Sequence, residues 1–390
     1  MRRLPLAFAL LAAGCWESHA LPAPPSDGGG CLGAPGQCAR AEGCEAWTTR
    51  APDCVDGEWR CAEGERWLSD FPAPVPDGAV CLPHRAASIA SVGGFTAAVP
   101  VGDACGWIAQ FPVTADGRAP TLGLAVPDAP GFGACPSGTW RDLDTDPEPD
   151  GAFLSVLDAA RLGDDTWVSL RRYRWDADAG WPGLRVVGSG FARWAPEPAR
   201  LGGVALPFGA AEDAGDTLAR GRDGRLYTLA CEGPTELFHE DCRLGRLEGD
   251  DPTLRAGWRF VGARGAYGDW DDAETVFLSG PERSSLRWIP GLARYVHVYA
   301  PGFGDAIRIR TAEAPEGPWT NARELVRCDL PADDEEAFCG SPVIRLERMD
   351  PRRPAQLAIT YDVSTLAPDR EARVAADPEA YWPRLVFVTP

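Results

Sequence analysis

The chain has 390 residues, a formal charge of −19 and no lysine among its 38 basic residues. An acidic balance of this size repels phosphate backbones and anionic lipid faces, which excludes nucleic-acid binding, and without an amine neither Schiff-base chemistry nor a Walker-type phosphate loop is available. The 15 Trp against 2 Met point instead to rigid aromatic packing in a large core.

Met1-Arg2-Arg3, an apolar run over 4–13 and then Gly14-Cys15 read as a secretory signal peptide whose apolar core is too short to span a membrane. Ala12-Ala13-Gly14-Cys15 resembles a bacterial lipobox, so Cys15 is expected to be lipidated, with ordinary cleavage after Ala20 as the alternative. Trp16, rather than Asp, follows Cys15 and leans the expected location toward the outer membrane of a diderm envelope; a secreted protein is the other option. Residues 15–30, with Pro22, Pro24, Pro25 and Gly28-Gly29-Gly30, hold too few apolar groups to fold and are expected to be a tether.

Cysteine arithmetic divides the rest of the chain. Thirteen Cys minus Cys15 leaves an even set suited to disulfides in an oxidising compartment. Cys231 with Cys242 and Cys328 with Cys339 each bracket a short polar loop and are expected to pair, and Cys105 with Cys135 is expected to staple the first sheet. The pairing of Cys31, Cys38, Cys44, Cys54, Cys61 and Cys81 stays open. No Cys-x-x-Cys occurs and no His lies among 31–61, so no metal is expected. Residues 31–81 form a Cys-rich module too small to stand without bridges, expected to act as a spacer, and 82–390 form the main domain.

In that domain Tyr295, Val296, His297, Val298 and Tyr299 favour a strand, 301–305 carry turn chemistry, and 306–311 alternate apolar residues with Arg: a β-hairpin. The same unit recurs at Trp107, Trp167, Leu226, Tyr295 and Leu357, in steps of 60, 59, 69 and 62 residues. A sheet of that period cannot bury both faces alone, so the expected fold is all-β, a five-bladed β-propeller behind the Cys-rich module, with an irregular sandwich as the alternative.

Arg294-Tyr295-Val296-His297-Val298-Tyr299, Ile307-Arg308-Ile309-Arg310, Glu316-Gly317-Pro318-Trp319, Ser341-Pro342-Val343-Ile344 and Leu357-Ala358-Ile359-Thr360-Tyr361-Asp362 resemble the propeller proteins of the bacterial domain of unknown function 4185. These in turn are similar to propellers of glycoside hydrolase family 43. The resemblance covers 85–390 and implies a central pocket facing carbohydrate.

Other chemistries fail on the residues. His19, His84, His239 and His297 form no spaced pair, and His297, between Val296 and Val298, reads as a packed strand residue. No Gly-x-Ser-x-Gly elbow is present. The acidic stretch from Asp142 starts like a calcium loop but has Pro147 where Gly is wanted and Phe153 where Glu is wanted, which leaves a solvated loop.

Glycoside hydrolysis needs only paired carboxylates and stacking rings. The resemblance implies that these acids stand on the inner strands of the first three blades, expected near 87–92, 155–159 and 216–219, with further inner strands near 285–288 and 340–344. Asp158 and Asp216 are the resulting catalytic candidates; the first strand offers no acid, and Glu212 and Asp213 are substitutes just before the third. Arg287 and Trp288 are candidates for clamping a carboxylated sugar and stacking on a pyranose. Ser341-Pro342 stands where the resemblance implies His before Pro. The expected function is thus a lipid-anchored envelope propeller, monomeric and without a cofactor, that binds a carbohydrate or similar polymer. A glycosidase and a structural or protein-interaction propeller are the alternatives.

Overall fold

The computed structural model describes residues 31, 36–42, 44–81, 94–101, 104–110, 122–127, 138–145, 148–149, 151–176, 184–232, 240–279 and 283–390. The signal and tether expected over 1–30 lie outside these residues. The described chain is mostly β and contains no helix long and apolar enough to cross a membrane.

Sheets of four, five, six, four and four strands follow one another along 94–390, each built on an antiparallel meander that runs outward from its inner strand; the second adds the parallel edge strand Asp144–Thr145 and the third adds Phe277–Ser279. These inner strands are Gly94–Val101, Ala152–Leu162, Ala214–Arg220, Ser285–Ile289 and Ala337–Ile344. The first begins after the span 87–92 where the sequence placed it, a span outside the described residues. All five repeat anchors, Trp107, Trp167, Leu226, Tyr295 and Leu357, stand on the second strand of their sheets. The last sheet takes its outer strand from the N-terminal segment, where Val80 and Cys81 pair with Val386 and Leu385. That exchange ties the beginning of the domain to its end and covers an edge otherwise open to pairing.

Both faces of each sheet are apolar, so each sheet buries one against its neighbour on either side. Val99, Ile108 and Leu124 of the first sheet meet Val156, Val168 and Leu170 of the second. Phe191 and Phe208 of the second meet Leu218, Trp258 and Phe260 of the third, with Phe191 stacked on Trp258 at 5.3 Å. Leu229 and Leu244 pack on Leu286 and Tyr295, and Ile289, Val296 and Ile307 pack on Ile359 and Val386. Phe387 and Leu385 of the last sheet return to Phe95 and Trp107 of the first, which closes the cycle. Trp258 is fully buried, and truncation of such a ring costs about 3–5 kcal/mol.

Near the axis, polar side chains stitch adjacent sheets together. Trp194 Nε1 donates to Pro100 O (2.7 Å), Leu218 N to Asp158 Oδ2 (2.8 Å), Leu286 N to Thr217 Oγ1 (3.1 Å), Ile344 N to Ser285 Oγ (3.2 Å) and Arg345 Nη2 to Phe95 O (2.8 Å). Each bond joins one sheet to the next in turn. Four of the inner strands carry register shifts, at Phe95/Ala98, Val156/Asp158, Ala214/Leu218 and Gly340/Val343. Such bulges re-aim side chains, and two of them bracket or adjoin the candidates Asp158 and Asp216.

The disulfides correct one expectation. Cys105 is bonded to Cys44, not to Cys135, which lies outside the described residues. The first sheet is therefore stapled to the Cys-rich module, because the loop at Cys44 folds back over the ring. Within the module Cys31 joins Cys54 and Cys38 joins Cys61; Cys231 joins Cys242 and Cys328 joins Cys339. The module is docked rather than strung out as a spacer: Trp47 Nε1 donates to Glu347 O (2.9 Å) and Arg353 Nη1 to Val75 O (3.0 Å). Part of the acidic stretch expected to be a solvated loop is an edge strand, Asp144–Thr145, parallel to Arg200 and Leu201.

Candidate functional site

The second, third and fourth inner strands run in the same direction, as their contacts show. Near their starts Arg283 Nη2 donates to Ser155 Oγ (2.8 Å); near their ends Arg161 N and Arg220 Nη1 reach the same Glu45 carboxylate. Asp216 lies at the starting end and Asp158 midway. Alternation along a strand and the bulges decide what each one meets.

Asp158 meets a guanidinium. Arg287 donates from Nη2 to Asp158 Oδ1 (2.5 Å) and from Nη1 to Oδ2 (2.8 Å). Thr217 Oγ1 (2.9 Å) and Leu218 N (2.8 Å) donate to Oδ2, and Ala159 N donates to Oδ1 (2.8 Å). A carboxylate has about four lone-pair positions, so these donors fill it. Arg287 spends its remaining reach on Leu286 O and Leu218 O. The sequence placed Asp158 with the catalytic candidates and Arg287 with the ligand-binding ones; the fold joins them to each other, buried at 3% and 9% exposure.

Asp216 belongs to a different cluster. Arg171, cross-strand from Ser155, donates from Nη2 to Asp216 Oδ1 and from Nε to Asp213 Oδ1, both at 2.7 Å, and from Nη1 to Tyr173 Oη (3.0 Å). Two carboxylates thus share one guanidinium. Burial pushes the Asp216 carboxyl up to about 6, the Arg171 charge opposes that rise, and the Asp213 charge adds to it. Asp213 is also raised, first by burial. Its backbone has φ 28°, a left-handed conformation sparsely populated by residues other than glycine, and strain of this kind collects at binding sites. Tyr173 stacks on Phe153 (5.6 Å), which leaves an aromatic wall beside the carboxylates. Glu212, the other substitute, is held by Arg255 (2.8 Å) and stands apart from the pair.

Trp288 lies toward the opposite end, its ring edge-on to Tyr295 (5.0 Å) with the Arg222 guanidinium over it at 4.8 Å. It does not join Asp216. The inner strand Gly94–Val101 contains no Asp or Glu, so that strand offers the pair no facing carboxylate. His297 is fully buried between Phe277 (4.3 Å) and Tyr299 (5.4 Å), with no hydrogen-bond partner for either ring nitrogen among the described residues, and burial holds it well below the ordinary imidazole value. Among the described residues, Cys38, Cys61 and Glu65 place possible metal-ligand atoms close together, but the two sulfurs are bonded to each other and offer no thiolate.

Sequence reasoning missed Arg171, Tyr173 and Arg283. The available signal was the alternation Arg171-Arg172-Tyr173 on the second strand of the second repeat, which puts Arg171 and Tyr173 on one face.

Among solved structures, the chain is similar to a Bacteroides ovatus protein described provisionally as a hydrolase, at 13% identity over 76% of this chain and 85% of that one, with a TM-score of 0.50. It is also similar to the GH43_1 enzyme from Xanthomonas citri complexed with xylose, at 14% identity over 82% and 91% of the two chains, TM-score 0.47. A third similar structure is native Bacillus subtilis arabinanase, at 10% identity over 76% and 96%, TM-score 0.40. No family model and no curated protein matches the sequence. At 13% identity the likeness to the first of these structures speaks for the fold alone.

Proposed function

We propose that the chain is a five-bladed propeller, held at the cell envelope by lipid on Cys15, that binds a carbohydrate polymer at the starting ends of its inner strands without cleaving it. The observation that carries this reading is the saturation of Asp158 by Arg287, Thr217 and two backbone amides, with Ala159 N and Leu218 N as the amides. Cleavage of a glycosidic bond requires two carboxyl groups on either side of it, about 5–9.5 Å apart, one free to give a proton and one free to attack or take one. Asp158 has no free lone pair, the first inner strand has no acid, and Asp213 and Asp216 lie side by side on one guanidinium. What remains, Arg171, Arg283, Ser155, the two aspartates and the Tyr173 ring, is a set of alternating donors and acceptors beside an aromatic face, which suits sugar hydroxyls.

The reading also draws on the sequence resemblance to the domain of unknown function 4185, on the lipobox at Ala12-Ala13-Gly14-Cys15 and on the tether behind it. Affinity electrophoresis of the soluble chain, Cys15→Ser with the signal removed, through gels containing plant or bacterial polysaccharides tests it. Retardation without release of reducing ends is the expected result. Release of reducing sugar that disappears in Asp216→Ala would establish the glycosidase instead, and neither effect across the panel would leave the structural propeller.

A further inference from the structure

At the end of the ring opposite Asp216, the Cys-rich module lays a β-hairpin over the inner strands. Its two strands, Cys38–Glu42 and Ala46–Arg50, pair with Arg40 directly across from Thr48. Alternation puts Arg40, Thr48 and Arg50 on one face, while Ala39 and Trp47 pack with Phe71 on the other. The hairpin is fixed as a lid: Cys44 is bonded to Cys105, and Trp47 Nε1 donates to Glu347 O (2.9 Å). At its tip the Glu45 carboxylate accepts from Arg161 N (2.7 Å) and Arg220 Nη1 (3.4 Å), at the ends of the second and third inner strands.

Between the hairpin and those strand ends lies an open cleft of about 650 Å³. Of the eight described residues that line it, four are arginines, Arg40, Arg50, Arg161 and Arg220, and only Ala41 is apolar. Basic residues are 38 of 390 in a chain of charge −19, so half of a lining is a marked local concentration. The four differ in what answers them. Arg50 is held by Glu65 (2.7 Å) and Asp53 (3.0 Å), and Arg161 turns back to Gly163 O (2.9 Å) and Asp164 (3.5 Å). Arg220, its side chain half exposed, has only the 3.4 Å contact with Glu45 among the described residues. Arg40 is exposed and has no hydrogen bond or ion pair among them. A guanidinium carries five N–H donors, so those of Arg40 and most of those of Arg220 stay open to the cleft. Arg40, Arg161 and Arg220 meet Glu45 and Asp164, three guanidinium groups against two carboxylates, which leaves one positive charge in excess.

We propose that this cleft binds an acidic sugar, its carboxylate bridging Arg40 on the module and Arg220 on the ring. A carboxylate matches the guanidinium fork and answers the excess charge through charge-assisted bonds. The rest of the occupant is polar as well, because the lining offers a fatty or aromatic acid no apolar wall, whereas Thr48 and Glu45 suit sugar hydroxyls. The site draws on none of the observations at Asp216, and the two readings fail separately.

Trigalacturonate, with its methyl ester as the neutral isostere, probes the site in the disulfide-intact soluble chain by calorimetric titration at low salt. The expected result is saturable binding of the acid, at least about tenfold weaker binding of the ester, and loss of affinity as salt rises and screens the exposed charges. Arg40→Gln and Arg220→Gln are each expected to weaken the acid by about tenfold. Both side chains are exposed, so Tm should stay within about 2 °C of the wild type. Tyr173→Ala, at the other end of the ring, is expected to leave this binding unchanged. No saturable binding, equal binding of the ester, undiminished affinity in both arginine variants, or loss of affinity in Tyr173→Ala would each overturn the proposal. Sodium sulfate competing as well as the trimer would also overturn it, by showing a site for simple anions only.

Discussion

Arg287 and Asp158 face each other fork to fork at the centre of the ring, Nη2 to Oδ1 at 2.5 Å and Nη1 to Oδ2 at 2.8 Å, and so tie the fourth sheet to the second across the inner strand of the third. Breaking a buried pair from one side strands a charge in the interior, which costs about 3–5 kcal/mol. Asp158→Ala and Arg287→Met should therefore each lower the unfolding free energy from urea titration by an amount of that order, and the double variant should lose clearly less than the sum. A catalytic Asp158 would behave otherwise: its alanine variant would keep the wild-type midpoint and lose turnover.

Asp216 gives the acid side of the stability profile. Its folded pKa of about 6, raised first by burial, lies above the ordinary aspartate value of about 4, and Asp213 is raised in the same direction. A carboxyl raised on folding contributes stability that is fully present below about pH 4 and is lost as pH climbs through about 6. Asp216→Asn has no such contribution. The Tm of the wild type minus that of the variant should be largest near pH 4 and shrink by pH 7, and a pH-independent difference would contradict the burial argument.

His297 works in the opposite sense. Held well below its usual value by burial, and secondarily by the Arg310 charge, it stays neutral in the fold and gains a proton only on unfolding. Its contribution is present above about pH 6.5 and is lost as pH falls below that. Since both ring nitrogens lack partners among the described residues while the ring stacks on Tyr299, His297→Phe keeps the packing and removes the unmet polar atoms. The variant should match or exceed wild-type stability at pH 7, with a change of about 1 kcal/mol, and should lose less stability between pH 7 and 5. Denaturant titrations at the two pH values check this.

Cys44–Cys105 closes a separation of 61 residues, for which chain entropy gives about 4 kcal/mol. Replacing both by Ser should lower Tm by several degrees and loosen the lid while the ring stays folded. Faster hydrogen exchange at the Trp47 indole, which donates to Glu347 O, would report the loosening. Unchanged exchange at Trp47 would mean that the lid holds without its staple.

How much of this the sequence announces depends on the kind of contact. The repeat at Trp107, Trp167, Leu226, Tyr295 and Leu357 marks the second strand of each sheet, because turn chemistry and β-branched runs are local signals. Asp158 and Asp216 are legible as residues on inner strands. Their partners are not: Arg171 is on a neighbouring strand, Arg287 comes from two sheets away, and bulges at Val156/Asp158 and Ala214/Leu218 decide which way each carboxylate points. The pairing of Cys105 was illegible for the same reason. Its partner Cys44 arrives from a module whose docking is set by single contacts such as Glu45 with Arg161 and Arg220, with no periodicity to show it.

The most direct test of the carbohydrate reading is to take a polysaccharide that retards the soluble chain and measure its affinity for the wild type, Tyr173→Ala and Asp213→Asn, with a reducing-sugar assay run alongside. Both variants should bind about tenfold more weakly, with no reducing sugar released by any of the three proteins. Undiminished binding in both variants, or reducing sugar released by the wild type, would contradict it.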